Sequence, residues 1–243
     1  MLITSLDNDR IKKYVGLKEK KNRDKTGQFI VEGMHLVLEA YKAGLIEELI
    51  LEKDVVVPLN LPTVYVTNDI LAKISTLETH PEIMALVNKK EEQDLGKRVL
   101  LLDNIQDPGN LGTIIRSACA FHIDTIILSD DTVDLYNPKV IRSTQGMIFS
   151  IDVWRKNLKE VIPTIKNKEI PLYGTNVRFG MDVTTLKEKD RSSFALIMGN
   201  EGTGVKEELM ELCDANLYIP LKEDAESLNV AVACSILLYE LDK

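Results

Sequence analysis

Residues 98–241 alternate short apolar segments with helical ones, and this alternation constrains the fold more than any other feature of the sequence. "RVLLLD" (98–103) and "DTIILSD" (124–130) are apolar across both faces, as strands inside a sheet are. The segments between them have helical periodicity. Short buried strands separated by helices indicate a parallel sheet covered on both sides. In such sheets ligands bind beyond the carboxyl ends of the strands, so a site is expected there.

The remaining elements complete a two-domain plan. Residues 28–90 predict the order β-α-β-β-α-β, a small α/β unit, and the polar run 88–97 reads as a linker. We therefore predict domains at 1–94 and 95–243. In the second domain, "MIFSIDVW" (147–154) predicts a strand, and "NLKEVIPTIKN" predicts a helix broken at its proline. "LNVAVACSILLYEL" (228–241) predicts a closing helix that is apolar all round, so it is either central in the chain or covered by another subunit.

Composition favours a cytoplasmic protein without metal. No apolar run is long enough for a membrane span or a signal peptide. Three cysteines stand in apolar surroundings without a CxxC pattern, which is typical of reduced core residues. Three histidines lie far apart and lack metal-ligand spacing, so we expect no metal site.

The charge distribution separates one segment from the rest of the chain. Between Arg10 and Lys25 there are eight basic and two acidic residues, a net +6, which leaves −14 elsewhere in a chain of net charge −8. A local basic arm can bind phosphate while the rest stays acidic. The alternative interpretation is a solvated helix face and loop.

Three polar loops follow apolar strands. "DPGNLGTIIR" (107–116) opens a helix that Asn110 could cap, and it contains neither GxGxxG nor GK[ST]. Arg116 interrupts the apolar stripe of that helix, so a partner, an anionic ligand or an interface is expected around it. "MGNEGTGV" (198–205) allows close backbone approach to a ligand. The third loop begins the segment "IPLKEDAESLNVAVACSILLYEL" (219–241), in which Ser227 could either cap the closing helix or take part in the function of the site.

Together these loops resemble a known family. "NIQDPGNLGTIIRSACAF", "ALIMGNEGTGV" and "IPLKEDAESLNVAVACSILLYEL" are similar, in order and spacing, to motifs 1, 2 and 3 of the SpoU/TrmH branch of the SPOUT RNA methyltransferases. "NPKVIRSTQGMIF" (137–149) resembles the segment between motifs 1 and 2. "FIVEGMHLVLEA" resembles the small ribosomal-protein-like RNA-binding domain often fused ahead of the catalytic one. The resemblance covers nearly the whole chain.

The resemblance implies an α/β fold of SPOUT type: a parallel sheet with a C-terminal trefoil knot, preceded by a small α/β RNA-binding domain. It implies S-adenosylmethionine as cofactor, RNA as partner, and a homodimer formed through the knotted region. The implied cofactor-binding residues are Thr175, Gly199, Asn200, Gly202, Ile219, Leu221 and Leu228. Those at the reacting centre are Asn110, Arg116, Glu201, Ser227 and Asn229. The expected RNA contacts are Lys12, Lys13, Lys20, Lys21, Arg23 and Arg142.

The implied reaction is methyl transfer to a ribose 2′-hydroxyl, with rRNA favoured over tRNA because the N-terminal domain resembles that of rRNA-modifying members. Arg116 stays charged at neutral pH, so it would clamp a phosphate and stabilise the developing alkoxide rather than act as a base. Two alternatives remain open: a tRNA ribose methyltransferase, and a non-catalytic RNA-binding or assembly factor with the same fold. A nucleotide-binding oxidoreductase is disfavoured because the glycine fingerprint is missing.

Overall fold

The computed structural model describes residues 2–188, 191–222 and 226–243. The strands of this part of the chain are β1 (Leu2–Ile3), β2 (Gln28–Glu32), β3 (Ile46–Glu52), β4 (Thr63–Val66), β5 (Ile83–Asn88), β6 (Arg98–Leu102), β7 (Thr125–Leu128), β8 (Asp152–Arg155), β9 (Leu172–Thr175), β10 (Met181–Asp182), β11 (Phe194–Met198) and β12 (Ala215–Tyr218). The α-helices are α1 (Asp9–Gly16), α2 (Lys20–Thr26), α3 (Met34–Lys42), α4 (Asn68–Ile74), α5 (Pro108–Ala120), α6 (Pro138–Ser143), α7 (Leu158–Asn167), α8 (Glu207–Met210) and α9 (Val230–Asp242).

The chain divides into two compact units. The first comprises the residues up to Glu91 together with Asp134–Phe149, and the second comprises Glu92–Val133 and Ser150–Lys243. The first unit thus contains α6, which lies between two strands of the second unit in the sequence.

The first unit has a mixed sheet in the order β1-β4-β3-β5-β2. The pairs β1–β4 and β3–β4 are parallel, whereas β5 runs antiparallel to both of its neighbours. Helix α3 follows β2 at Gly33, where φ is +92°, and buries Leu36, Val37 and Ala40. The elements from β2 to β5 follow the predicted order, but β1 and α2 were not predicted. The sequence of α2, "KKNRDKT", has no apolar face, and its buried residue is Arg23.

The second unit has a seven-stranded sheet in the order β10-β12-β9-β11-β6-β7-β8, and every described pair in it is parallel. The apolar strands β6, β7 and β11 lie inside this sheet and are almost completely buried. The prediction of an α/β fold with a parallel sheet is therefore confirmed. Helices α5 and α9 pack against each other, and Ser117 Oγ lies 2.7 Å from Ser235 Oγ between them.

Two details of the prediction are wrong, and for α9 one of two alternatives is excluded. Residues Met147–Phe149 form a 3₁₀ turn instead of a strand, because the backbone turns at Gln145 and Gly146, where φ is positive. Helix α7 continues through Pro163, since Ile162 and Ile165 are anchored in the core on either side of it. Helix α9 is not central in its own chain, where Val232 is 48% exposed and Tyr239 is 51% exposed, and its cover by another subunit stays a prediction.

Candidate active site

A cavity of about 400 Å³ lies at the carboxyl ends of β9, β11 and β12, in the second unit. Parallel strands bring these ends to one edge of the sheet, as expected from the sequence. The lining combines the loops that follow the three strands with the start of α9. All seven residues that the resemblance implied for the cofactor line it: Thr175, Gly199, Asn200, Gly202, Ile219, Leu221 and Leu228.

Residues 199–205 form a tight loop along one wall of the cavity. The backbone N–H groups of Asn200 and Gly204 each donate to the carbonyl of the other at 3.0 Å. The Asn200 side chain joins this loop to the segment after β6. Its Oδ1 accepts from Gly202 N at 2.8 Å, and its Nδ2 donates to Asn104 O at 2.8 Å. At Gly199 a Cβ atom would lie 2.1 Å from the carbonyl carbon of Gly204. The loop therefore needs glycine at this position.

Three of the residues implied at the reacting centre form one hydrogen-bonded cluster. Asn110 Nδ2 donates to Glu201 Oε1 at 3.0 Å, and Asn229 Nδ2 donates to Asn110 Oδ1 at 3.0 Å. These bonds fix which end of the Asn110 amide faces which partner. Ser227 joins Glu201 in the lining of the cavity. The cluster thus links the loop after β11 to the first turns of α5 and α9.

The Glu201 carboxylate is held in its ionised form. Partial burial opposes ionisation and would raise its pKa. The Asn110 amide and the backbone N–H groups of the 106–107 loop donate to it, however, at 3.0–3.4 Å. These hydrogen bonds outweigh burial, so the pKa of Glu201 lies below its usual value. A carboxylate fixed in this way ties the 199–205 loop to the start of α5.

Neither helix is capped by the residue that the sequence suggests, Asn110 for α5 and Ser227 for α9. Asp107 caps α5, and its Oδ1 accepts from the backbone N–H of Asn110 at 2.8 Å. Asn229 caps α9, and its Oδ1 accepts from Ala231 N at 2.9 Å and from Val232 N at 3.3 Å. The Asn110 side chain is consequently free to join the cluster, and Asn229 serves both the cap and the cluster.

Arg116 is exposed on α5, so the expectation that it interrupts a buried stripe is wrong. Its neighbours one turn away, Thr113 and Ala120, are exposed as well, whereas Ile114, Ile115 and Ala118 are buried. The helix phase places Arg116 on the outer face, where a charge requires no partner. No contact of Arg116 with the Asn110 cluster is found within the described ranges.

Sequence reasoning missed Asp103, a carboxylate that is only 1% exposed. Its Oδ2 accepts from the backbone N–H of Lys206 at 3.0 Å, and its Oδ1 lies 3.4 Å from Lys206 Nζ. Asp131 Oδ2 lies 3.1 Å from the same Nζ, and the two carboxylates raise the pKa of Lys206. Asp103 therefore anchors the end of the 199–205 loop. A lone acidic residue directly after the apolar run "RVLLL" was the available signal.

The basic arm in the first unit presents lysines to solvent. Lys12, Lys13, Lys20 and Lys21 are all exposed. Lys12 lies 3.6 Å from Asp7, and Lys20 lies 3.9 Å from Asp24, so both ion pairs are long and solvated.

The expected RNA contact at Arg23 is wrong. Arg23 is only 4% exposed, and its Nη1 donates to the carbonyls of Leu17 and Lys18 at 2.7 and 2.6 Å. Its Nη2 pairs with Asp134 at 2.5 Å. A guanidinium enclosed in this way has no face left for phosphate. Arg142 is half-buried, and its Nη1 donates to Thr76 Oγ1 at 2.8 Å.

The described residues contain neither a candidate membrane span nor a candidate metal site. None of their helices is both long and apolar enough to cross a membrane. They also contain no cluster of three or more His, Cys, Asp or Glu side chains that could hold a metal ion.

An all-parallel α/β sheet with a cavity of this volume at its carboxyl edge is the arrangement with which α/β proteins bind small organic ligands. The chain belongs to the SpoU rRNA methylase family, whose model matches residues 97–239. The model of the MRM3-like substrate binding domain matches residues 8–85. The family predicted from the three motifs is thereby confirmed.

Individual relatives extend the match over the whole chain. The 23S rRNA (guanosine(2553)-2'-O)-methyltransferase RlmP of Bacillus subtilis (strain 168) is 41% identical, and the match covers 98% of each chain. An AdoMet-bound rRNA methyltransferase from Sinorhizobium meliloti is 29% identical with a TM-score of 0.86, over 99% of this chain and 97% of that one. The SpoU methyltransferase AviRb from Streptomyces viridochromogenes, in complex with AdoMet, is 26% identical with a TM-score of 0.87, over 97% of each chain.

Proposed function

We propose that this protein transfers the methyl group of S-adenosylmethionine to a ribose 2′-hydroxyl of ribosomal RNA. The observation that carries the proposal is the cavity: the seven residues implied for the cofactor lie around one space of about 400 Å³, a volume usual for small-molecule sites. Family membership and the AdoMet complexes of two similar proteins support the same cofactor. The relative in Bacillus subtilis is named for a guanosine of 23S rRNA, and we propose a guanosine of that RNA as the target.

The lining of the cavity suits this cofactor. The side chains of Leu217, Ile219 and Leu228 offer apolar surface for a purine base, and the loops contribute backbone donors and acceptors for its polar edge. When bound, S-adenosylmethionine supplies an electrophilic methyl group on a sulfonium sulfur. The residues of this chain would hold the cofactor and orient the RNA.

Asn110, Glu201 and Asn229 act as a positioning cluster in this proposal. Glu201 accepts hydrogen bonds from both the 106–107 loop and Asn110, so it keeps the 199–205 wall in register with α5. The Asn110 amide is fixed between Glu201 and Asn229, and Ser227 faces the cavity beside them. Alignment of the reacting atoms accounts for a large part of the rate of group transfer, and a rigid wall maintains that alignment.

Arg116 would stabilise the charge that develops on the ribose oxygen and hold the neighbouring phosphate. Its guanidinium stays protonated in proteins, so it cannot remove the hydroxyl proton. Its exposure on α5 leaves it accessible to an RNA phosphate. A bidentate contact with phosphate is the geometry that a guanidinium favours.

We further propose the finer architecture that the resemblance implies. The domains would be residues 1–94, which bind substrate RNA through Lys12, Lys13, Lys20 and Lys21, and residues 95–243, which bind the cofactor; Arg142, beyond the first domain, would add a further RNA contact. The C-terminal part would form a trefoil knot; in support, the chain leaves β11 on one side of β9 and returns as β12 on the other.

We also propose that the protein is a cytoplasmic homodimer. The exposed apolar side chains Val232 and Tyr239 lie seven residues apart on α9, hence on one face of the helix. A second copy covering that face would bury them.

Purified protein should transfer radiolabelled methyl groups from S-adenosylmethionine to 23S rRNA transcribed in vitro, and the modified nucleotide should resist alkaline cleavage at its 3′ side. A tRNA transcript serves as the comparison substrate. A protein that binds S-adenosylhomocysteine but methylates only tRNA would contradict the proposed substrate. A protein that binds RNA but no cofactor would be a binding factor.

A further inference from the structure

The turn that follows β9 presents an aromatic side chain to solvent beside the cofactor cavity. Asn176 and Val177 line the cavity, and two residues further on Phe179 is 75% exposed. Val177 is 46% exposed and Met181 is 42% exposed, so the segment 177–181 exposes three apolar side chains. The chain has only 13 aromatic residues, five of them phenylalanines, and phenylalanine is among the residue types most often buried in the core. A ring so exposed at the mouth of a site is a candidate contact surface.

The conformation of this turn is fixed by hydrogen bonds and packing. Asn176 Oδ1 accepts from the backbone N–H groups of Arg178 at 3.0 Å and Phe179 at 3.1 Å. Asn176 N donates to the carbonyl of Leu217 in β12 at 3.0 Å. Gly180 has φ +132°, and a Cβ there would lie 2.1 Å from the carbonyl oxygen of Asn216. The backbone on both sides of Phe179 is thus held against β12, and the ring is presented outward by a defined turn.

The residue directly before Phe179 is basic. Arg178 is exposed, and no ion pair or side-chain hydrogen bond is found for its guanidinium in the part of the chain that is described. An exposed aromatic ring beside a cation is the combination with which proteins bind single-stranded RNA: the ring stacks on a base, and the cation meets a phosphate.

We propose that Phe179 stacks on an unpaired nucleobase of the RNA substrate while Arg178 contacts an adjoining phosphate. This inference rests on the proposed function, because the RNA must bring a ribose hydroxyl to the mouth of the cavity that Val177 helps to line. The net charge of −8 repels RNA at long range. A stacking contact, which does not depend on charge, is therefore more important for RNA affinity in this protein. The substrate is therefore single-stranded beside the methylated nucleotide.

Three variants of Phe179 separate stacking from simple apolar contact. Phe179→Ala should weaken binding of a short single-stranded RNA of mixed sequence by roughly 5- to 150-fold, the range that loss of one stacked base corresponds to. Phe179→Leu should be nearly as weak, because it keeps apolar volume but has no ring. Phe179→Trp should bind like the wild type, and RNA should quench its added emission. The wild-type protein, whose only tryptophan is Trp154, is the fluorescence control.

The measurement also identifies the other possible occupants of this surface. Affinity for S-adenosylhomocysteine should stay the same in all three variants, and sedimentation should give the same mass as the wild type. Wild-type RNA affinity in Phe179→Ala would overturn the inference. If Phe179→Leu kept the RNA affinity of the wild type and Phe179→Ala sedimented at a lower mass, the ring would instead contact a second copy of this chain. Failure of the proposed function would appear separately, as a wild-type protein that binds RNA without transferring methyl groups.

Discussion

Gly199→Ala should separate cofactor binding from RNA binding, because this position has no room for a methyl group. The added Cβ would lie 2.1 Å from both Gly204 C and Val205 N. Both atoms belong to the backbone of the loop that lines the cavity, so no side-chain rotation can relieve the overlap. Restoring ordinary contact at about 3.5–4.0 Å requires the 204–205 backbone to retreat by roughly 1.5 Å.

The size of the effect follows from that displacement. Overpacking of a close-packed site typically costs about 1–3 kcal/mol of folding free energy. A shift of about 1 Å in a binding wall can lower the rate of the reaction on the order of a hundredfold. The two hydrogen bonds between Asn200 and Gly204 would also lengthen, so the cavity would lose its shape. We therefore expect affinity for S-adenosylmethionine to fall about ten- to a hundredfold, with RNA binding by the first unit unchanged.

Isothermal titration with S-adenosylhomocysteine measures this loss directly. Gly96→Ala is the matched control, since its Cβ would lie 2.2 Å from Asp124 Cβ, within the same unit but away from the cavity. It should lower the unfolding temperature while keeping cofactor affinity. Gly202→Ala should have a smaller effect than Gly199→Ala, because its Cβ would meet Asn200 Oδ1 at 3.5 Å, an ordinary contact. Equal cofactor affinities for Gly199→Ala and Gly96→Ala would refute the reasoning.

Four further outcomes are expected. The pKa of Glu201 is lower in the folded state than its ordinary value of 4.5. The ionised carboxylate therefore stabilises the fold fully above pH 4.5, and this stabilisation is lost as the pH falls through the folded pKa. Glu201→Gln should accordingly lose less stability in acid than the wild type, as measured by urea unfolding across pH. Arg116→Ala should abolish methyl transfer with cofactor affinity retained, and Arg116→Lys should also be slow because an ammonium makes no bidentate contact; a fast lysine variant would contradict the clamp. Val232→Glu should give monomers by sedimentation and weaker cofactor binding by titration. A wild-type protein that is an active monomer would contradict the proposed dimer. Changing the four exposed lysines of the basic arm to alanine should lower the slope of log RNA affinity against log salt by up to about 3–4, whereas an unchanged slope would remove the arm from the mechanism.

The position of the candidate site could be predicted from the sequence because it depends on strand order and apolar pattern. "RVLLL" and "FALIM" are apolar enough to indicate buried strands, and "DANLYIPL" indicates a strand followed by a loop. Parallel strands place the loops that follow them at one edge of the sheet. The cofactor residues carried over from the motifs accordingly surround one cavity.

The hydrogen bonds of the site could not be predicted in the same way. Asn110 lies 91 residues from Glu201 and 119 residues from Asn229 along the chain. Local rules suggest Asn110 as the cap of α5 and Ser227 as a possible cap of α9, since they consider only the neighbouring backbone. Asp107 takes the cap that these rules gave to Asn110. Which of several polar residues at a helix start turns outward depends on partners that only the folded chain supplies.

The two arginines show why burial of a charged residue is difficult to infer from its local sequence. Arg116 stands among apolar residues but is exposed, because a stripe of 3.6-residue period leaves an outer face even on a largely apolar helix. Arg23 stands in a charged segment but is buried, because its guanidinium satisfies two carbonyl groups at the end of α1 and pairs with Asp134, more than a hundred residues away. A buried guanidinium is stable only when such partners enclose it. Of the residues expected to contact RNA, the one enclosed by its own chain is thus committed to the fold, and the lysines that lack such partners remain available for phosphate.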